Sequence, residues 1–239
     1  MVETITIGTI SVRLTRKRVR NINLRIHPDG SVHVSAPFRT PLPTIASFIE
    51  SKRNWIEANQ AKLAQQSSVM SVSCEDGETL HLWGKPHTIR IIWTEQAGKS
   101  SGATFECVGD ELRVQVRDRE GDTADEARTR RDRALDRWLR KQLLEQIGGL
   151  LPHCEEVVGR HASPIRIKSM RSRWGSCNTK TGAISIAVRL VHFDPHCLEM
   201  VLYHELCHLI EPNHGERFHA LMDSFCPDWR ERSSLLAGR

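Results

Sequence analysis

The sequence predicts an α+β protein with a β-rich N-terminal part and an α+β C-terminal part. Three observations support this prediction. Polar and apolar residues alternate repeatedly in the first 118 residues, which is typical of half-buried strands. Residues 122–147 then contain neither glycine nor proline and repeat apolar residues at helical spacing. Beyond this segment, two short strand-like segments precede two further helical patterns.

The length and composition are those of a globular protein. The chain has 239 residues, of which 39% are hydrophobic and 26% charged, so it can form one large domain or two small ones. We expect a β-rich domain with one helix over residues 1–118 and a second, α+β domain over residues 119–239. No apolar run approaches the roughly 18 residues of a membrane helix, and the first residues do not resemble a secretory signal. We therefore expect a cytoplasmic protein without membrane contact, whose seven cysteines are reduced thiols.

The N-terminal elements follow from alternation and turn residues. Residues 4–14 alternate as one strand, and residues 21–35 form a hairpin around Pro28-Asp29-Gly30. A helix is predicted at about residues 42–66 and loops at 67–77 and 95–103. Two short strands surround Gly84-Lys85-Pro86, and two more pair across Gly109-Asp110.

The C-terminal elements begin with the long helix at 122–147. Strands are predicted at residues 165–168 and 183–188, with a turn at 178–182 between them. Two helices follow, at residues 195–211 and about 215–225. Asp194 is a suitable N-cap for the first of these, and Pro195 suits the first helical position.

Residues 204–208, His-Glu-Leu-Cys-His, form a metal-binding pattern. Two histidines four residues apart lie on one face of a helix, where both imidazoles can bind one Zn²⁺. The carboxylate of Glu205 reaches toward the same edge and can accept a proton from a water at the metal. The sequence therefore predicts His204 and His208 as ligands and Glu205 as a general base.

His214 is the expected third ligand. Pro212 cannot continue the helix, so the chain can turn back and bring His214 to the metal. Less favoured alternatives are three other histidines and two glutamates: His219, His196, His192, Glu216 and Glu231. Glu211 stands where metzincins carry a glycine, which argues against that class.

Three segments carry a resemblance to a known family. Residues 170–177 (MRSRWGSC), 182–190 (GAISIAVRL) and 203–218 (YHELCHLIEPNHGERF) resemble the YgjP-like predicted metal-dependent hydrolases, relatives of the SprT-like and Wss proteases. The N-terminal part resembles the same family more loosely. The resemblance implies a minimal zincin-like domain, with a long helix, a small twisted sheet, the HExxH helix and a C-terminal helix. It also implies zinc on His204, His208 and His214, with Glu205 as base.

The function expected from these features is zinc-dependent hydrolysis of a protein or peptide. Arg173, Trp174 and Ser176 are candidate substrate-binding residues, and His219, Arg171 and Arg173 are candidates for stabilising an oxyanion. Cys177 and Cys207 are interpreted as small buried residues. Two alternatives use the acid-free basic stretches at 13–25 and 160–173: hydrolysis of nucleoside triphosphates, and a DNA-associated protease or binding module.

Overall fold

The computed structural model describes residues 2–27, 30–70, 73–94, 103–117, 121–170 and 172–236, with the backbone alone at residues 2 and 62–70. Three predicted features lie outside these ranges in whole or in part: the turn at Pro28 and Asp29, the loop at 95–103, and Arg171. The predicted α+β class is confirmed. The chain divides by contacts into two compact units, residues 1–68 and 69–237.

The first unit contains a four-stranded sheet and helices. Its strands are β1 (Val2–Ile7), β2 (Ile10–Arg16), β3 (Asn23–Ile26) and β4 (Val32–Ala36), in the order β1-β2-β4-β3. Residues 4–14, predicted as one strand, form a hairpin, because Gly8 adopts the left-handed conformation (φ 59°) that a tight turn needs. The predicted helix at 42–66 is two helices, α1 (Leu42–Ser51) and α2 (Arg53–Met70), which meet at Lys52.

The second unit begins with another four-stranded sheet. Strands β5 (Thr79–Leu82), β6 (Lys85–Trp93), β7 (Ala103–Val108) and β8 (Glu111–Val116) have the order β5-β6-β8-β7. In both four-stranded sheets the outer pairs are antiparallel, and the central pair, β2–β4 or β6–β8, is parallel. The same strand order therefore occurs twice along the chain, although the sequence shows no repeat.

Helix α3 (Ala124–Val158) is longer than the predicted helix at 122–147. It begins with a capping box between Thr123 and Glu126 and ends at Gly159, whose φ is 66°. Ala134, Leu135 and Leu139 share a core with the β5–β8 sheet, whereas Leu143, Ile147, Cys154 and Val158 belong to the core of the C-terminal elements. The second compact unit thus extends across residue 118, and the domain division expected there stays a prediction.

The remaining chain forms a three-stranded sheet and three helices. Strands β9 (Ile165–Lys168), β10 (Gly175–Asn178) and β11 (Ala183–Ala187) have the order β10-β11-β9, so β10 is an edge strand. A 3-10 turn (Val188–His192) leads to helices α4 (Pro195–Cys207), α5 (Glu216–Phe225) and α6 (Trp229–Leu236). Helix α6 was not predicted. Within the described residues, no helix is both long and apolar enough to cross a membrane.

Candidate metal centre

Helix α4 carries the first two histidines and lies in the middle of the core. The carboxylate of Asp194 accepts a hydrogen bond from the backbone N–H of His196 (2.9 Å), and Pro195 occupies the first turn. Most of its residues are buried: Cys197, Leu198, Met200, Val201, Leu202, Tyr203, Glu205, Leu206 and Cys207. Because buried residues lie on most sides of α4, the helix packs against both α3 and the sheet.

Three imidazoles meet where α4 ends. One nitrogen from each of His204, His208 and His214 lies within 4.8 Å of the other two. The Nε2 atoms of His204 and His214 are 3.1 Å apart. His208 directs Nδ1 toward the carbonyl oxygen of Glu211, at 3.2 Å. If Nδ1 donates there, the lone pair of Nε2 faces the cluster.

The bend that brings His214 into the cluster begins earlier than predicted. The last residue of α4 is Cys207, and the next backbone hydrogen bonds, Leu209 to Leu206 and Ile210 to Cys207, span three residues. This tightened turn precedes Pro212 and releases the chain from the helix axis. The loop then returns through His214 to α5, which starts at Glu216.

The ring of Phe218 packs against the imidazoles of all three histidines. Its ring centroid is 4.9 Å from that of His204 and 4.7 Å from those of His208 and His214. The side chain is only 1% exposed. Phe218 thereby restricts the orientations of the imidazoles. In the sequence, the only sign of this contact is that an aromatic residue follows His214 by four positions.

The donor set fits a divalent metal ion. Burial, and then the neighbouring imidazoles, lower the pKa of His204 to about 4, so this ring is neutral near pH 7. Burial also lowers the pKa of His208. Two nitrogens on one tetrahedral zinc ion are about 3.3 Å apart, close to the 3.1 Å between His204 and His214. Imidazole ligands suit several divalent metals, so the donors alone do not identify the ion.

Glu205 places a carboxyl group beside the histidines. It is 4% exposed, and its Oε2 has no hydrogen-bond partner among the described residues. Burial raises its pKa to about 7, and the positive charge of Arg173 opposes this effect. A buried carboxylate without a partner is unfavourable. A cation held by the histidines would compensate its charge, which supports the same metal site.

Gly175 allows Glu205 to take this position. A β-carbon built on Gly175 would lie 2.7 Å from Cγ and 2.8 Å from Cδ of Glu205. These separations are shorter than van der Waals contact permits. Only glycine therefore leaves room at the start of β10 for the carboxyl group of α4.

A pocket of about 580 Å³ opens onto the histidines and Glu205. Arg173, Trp174 and Ser176, the predicted substrate-binding residues, all line it. The guanidinium carbon of Arg189 lies 3.6 Å from the ring centroid of Trp174, and Phe193 meets the same ring edge-on at 5.0 Å. Trp174 is thus a fixed wall of the pocket. Ser233 and Leu236 bring α6 to the pocket as well.

None of the alternative ligands belongs to this cluster. His192 is buried with Nδ1 2.7 Å from the carbonyl oxygen of His81, His196 pairs with Asp194 at 2.8 Å, and His219 stacks on Trp229. Among the described residues, the three predicted histidines are the one group of three or more histidine, cysteine or acidic side chains with metal-binding spacing. Glu216 and Glu231 do not belong to it.

Burial favours the protonated thiol at the two cysteines near the site. Cys207 is buried, and burial raises its pKa to about 12. For Cys177, burial and then Glu205 raise the pKa to about 11. A thiol that stays protonated is a poor nucleophile. Cys207 is buried as expected, whereas Cys177 is only half-buried.

Comparison with known proteins gives one match. No curated protein and no solved structure matches the chain significantly. A family model described as "YgjP-like, metallopeptidase domain" matches residues 20–239. This range includes the metal cluster, the pocket, the whole β5–β8 sheet, and strands β3 and β4 of the first sheet. The resemblance seen in the sequence is confirmed, and the chain belongs to the YgjP-like metallopeptidase domain family.

Proposed function

We propose that this protein is a zinc-dependent peptidase that hydrolyses peptide bonds in the pocket beside α4. One observation carries the proposal: three imidazole donors converge next to a buried carboxyl group whose Oε2 has no hydrogen-bond partner among the described residues. A purely structural metal site has no use for such a carboxyl group. The family to which the chain belongs is described as a metallopeptidase domain, which supports a peptide bond as the target.

In this proposal His204, His208 and His214 hold the Zn²⁺. When bound, the ion supplies Lewis acidity, lowering the pKa of a water toward about 7 and polarising a substrate carbonyl. Three protein ligands leave a fourth position open, as in catalytic zinc sites. The packing of α3 on α4, with a small sheet beside them, also supports the zincin-like arrangement inferred from the sequence.

Glu205 is the proposed general base. Its Oε2 is free to accept a proton, and its pKa of about 7 lies in the range that suits a group working near neutral pH. After bond cleavage the same carboxyl group can return the proton to the leaving amine. Gly175 keeps the carboxyl group in place on one side, so little reorientation is required between the two transfers.

The substrate is proposed to lie along β10. This strand is the edge of its sheet, so its outer backbone groups can pair with an extended peptide. Trp174 offers an apolar wall, while the exposed Arg173 and the backbone of Ser176 offer polar contacts. Arg173 is also a candidate for stabilising the oxyanion, since it lies close enough to affect the pKa of Glu205.

The test compares Glu205→Gln with the wild type, each loaded with zinc. We expect the variant to keep its zinc and to lose about 10²- to 10⁴-fold in the rate of cleavage of denatured, fluorescently labelled casein. Glu231→Gln is the matched control, because Glu231 is exposed and outside the metal cluster. Full activity of Glu205→Gln would disprove its role as base.

The same preparations also test the alternative activities. Each is incubated with nucleoside triphosphates, and pyrophosphate release is measured. Release from nucleotides, with casein left intact by the wild type, would replace the peptidase proposal by a nucleotide hydrolase.

A further inference from the structure

The three-stranded sheet has a polar, basic face opposite its core face. Ile165 and Ile167 of β9 pack against the C-terminal core, so Arg166 and Lys168, which alternate with them, point to the other side. On that side the strand register aligns Ser176 of β10, Ser185 of β11 and Arg166 of β9 in one row across the sheet. One basic and two hydroxyl side chains therefore stand side by side.

These side chains line a cleft of about 390 Å³. Lys168, Asn178 and Thr181 complete its polar wall. The side-chain oxygen of Asn178 accepts hydrogen bonds from the backbone N–H groups of Lys180 (3.0 Å) and Thr181 (3.2 Å). Its amide nitrogen remains as a donor for a ligand. The cleft thus combines two cations with several neutral hydrogen-bonding groups.

The positive charge of the cleft is not balanced locally. The sequence has no acidic residue between Glu156 and Asp194, a stretch that includes all three strands. Within the described part of the chain, neither Arg166 nor Lys168 takes part in an ion pair. Two such cations beside hydroxyl groups attract an anionic group, and the planar guanidinium can bind a carboxylate through two hydrogen bonds.

The cleft and the metal pocket share two lining residues. Ser176 and Cys177 line both cavities, one on each side of the edge strand. Side chains of a peptide paired with β10 would point alternately to the two faces of the sheet. When one side chain enters the metal pocket, its neighbour points to the face that carries the basic cleft.

We propose that this cleft is a subsite for an acidic side chain of the peptide substrate, recognised by Arg166 and Lys168. The proposal rests on the proposed peptidase function and adds a preference for Asp or Glu near the bond that is cleaved. It also gives a role to part of the basic stretch at 160–173. Arg166 and Lys168 act on substrate binding and take no part in proton transfer.

The experiment measures peptide binding separately from cleavage. Zinc-loaded Glu205→Gln is titrated with fluorescent peptides that carry either Glu or Gln at each position around a central dipeptide, and anisotropy is recorded. At one position or more, the Glu peptide should bind about five- to tenfold more tightly than the Gln peptide, as expected for two partly exposed ion pairs. The advantage should shrink as the salt concentration rises.

Two double variants in the Glu205→Gln background identify the cleft. Arg166→Gln with Lys168→Gln should abolish the preference for Glu. Arg160→Gln with Lys141→Gln removes the same net charge from exposed positions outside the cleft and should preserve it. A Glu-to-Gln ratio below twofold at every position, or a preference that survives the first double variant, would overturn the proposal. Binding of a single-stranded oligonucleotide is measured with the same variants. If Arg166→Gln with Lys168→Gln weakened the binding of the oligonucleotide alone and left peptide binding unchanged, the proposal would also be overturned, and the cleft would be assigned to nucleic acid.

The outcomes separate this proposal from the function on which it rests. If the wild type cleaves peptides without any charge preference, the proposal of an acidic subsite is wrong and the proposal of a peptidase is kept. If the Glu205→Gln protein binds peptides in a charge-dependent way but the wild type cleaves none of them, the proposal of a peptidase is wrong. The cleft is then a binding site for acidic side chains.

Discussion

The carboxyl group of Glu205 lies directly against the α-carbon of Gly175. No side chain fits between them, since an added β-carbon would come within 2.8 Å of Cδ of the glutamate. The contact joins the first residue of the edge strand to the last turn of helix α4. The position of the proposed base therefore depends on a residue that has no functional group of its own.

The first prediction concerns Gly175→Ala. The added methyl group must displace the Glu205 carboxyl group, and a displacement of about 1 Å can reduce turnover about 100-fold. We expect kcat to fall by that order while zinc content, measured by atomic absorption, stays at the wild-type value, because Glu205 is not a ligand. Gly149→Ala is the control: Gly149 lies in α3 with nothing within 4 Å of an added β-carbon. Normal kcat in Gly175→Ala would show that the carboxyl group has room to move.

The second prediction concerns the third ligand. His214→Ala should weaken zinc binding at least tenfold, as measured by competition with a chromogenic chelator, because one of three imidazole donors is lost. The gain in melting temperature that zinc gives the wild type should shrink in parallel. His196→Ala, at an exposed histidine paired with Asp194, should bind zinc normally. Unchanged affinity in His214→Ala would assign the third position to another residue.

The third prediction concerns the attachment of α6, which brings Ser233 and Leu236 to the pocket. Arg232 donates to Glu199 of α4 at 2.6 Å, and the two side chains are only 18% and 20% exposed. Removing one charge leaves the other largely buried, so Arg232→Met should lower the free energy of unfolding by about 2–3 kcal/mol. Urea denaturation of both single variants and the double variant with Glu199→Gln should give a coupling energy of about 1–2 kcal/mol. A value near zero would mean that packing alone holds α6.

The fourth prediction concerns stability at high pH. Burial is the main cause that raises the pKa of Cys74 and of Cys226 to about 12 in the folded protein. Both states keep these protons when the pH is well below the ordinary thiol pKa of about 8.5. Between about pH 9 and 12 the unfolded chain loses protons that the folded chain retains, so the free energy of unfolding falls with rising pH. Each thiol contributes about 1.4 kcal/mol per pH unit to this slope.

Replacing both thiols tests this prediction. In Cys74→Ala with Cys226→Ala, the slope of unfolding free energy between pH 9.5 and 10.5 should become shallower by up to about 2.7 kcal/mol per pH unit. Cys107→Ala should change it less, because Cys107 is exposed. Equal slopes in the wild type and the double variant would show that the two thiols ionise alike in the folded and unfolded states.

The parts of the site that were predictable are those with a local pattern. The spacing of His204 and His208 fixes their common helix face, and Asp194 and Pro195 mark the start of that helix. The break before His214 could be inferred from Pro212. Each of these inferences concerns residues close in sequence, where backbone geometry alone decides the arrangement.

The parts that were missed depend on contacts between distant segments. Nothing in the sequence places Gly175 against Glu205, because glycine has no side chain whose chemistry would reveal a partner. The end of α3 was also misjudged. Pro152 removes a hydrogen bond to the exposed Gly148, yet burial of Cys154 and Val158 stabilises the helix beyond it. Tertiary packing here outweighs a local signal against the helix.

Both four-stranded sheets give the same alternating pattern in the sequence. The domain boundary expected after residue 118 stays a prediction. The structure joins the second sheet to α3, because Ala134, Leu135 and Leu139 cover its core face. Alternation reveals which face of a strand is buried, but it does not reveal what covers that face.

The arrangement of the pocket along the chain sets the order in which it can form during translation. Its lining residues run from Arg173 to Leu236, after both four-stranded sheets and all of α3. The first unit has a core of its own, made from Ile10, Val12, Leu14, Val32, Val34, Ala36, Ile45, Ile49 and Ile56, so it can fold while the ribosome is still making the rest. The proposed metal site has all three of its histidines only after His214 has left the exit tunnel. The proposed activity therefore cannot appear before the α4–α5 segment has been made.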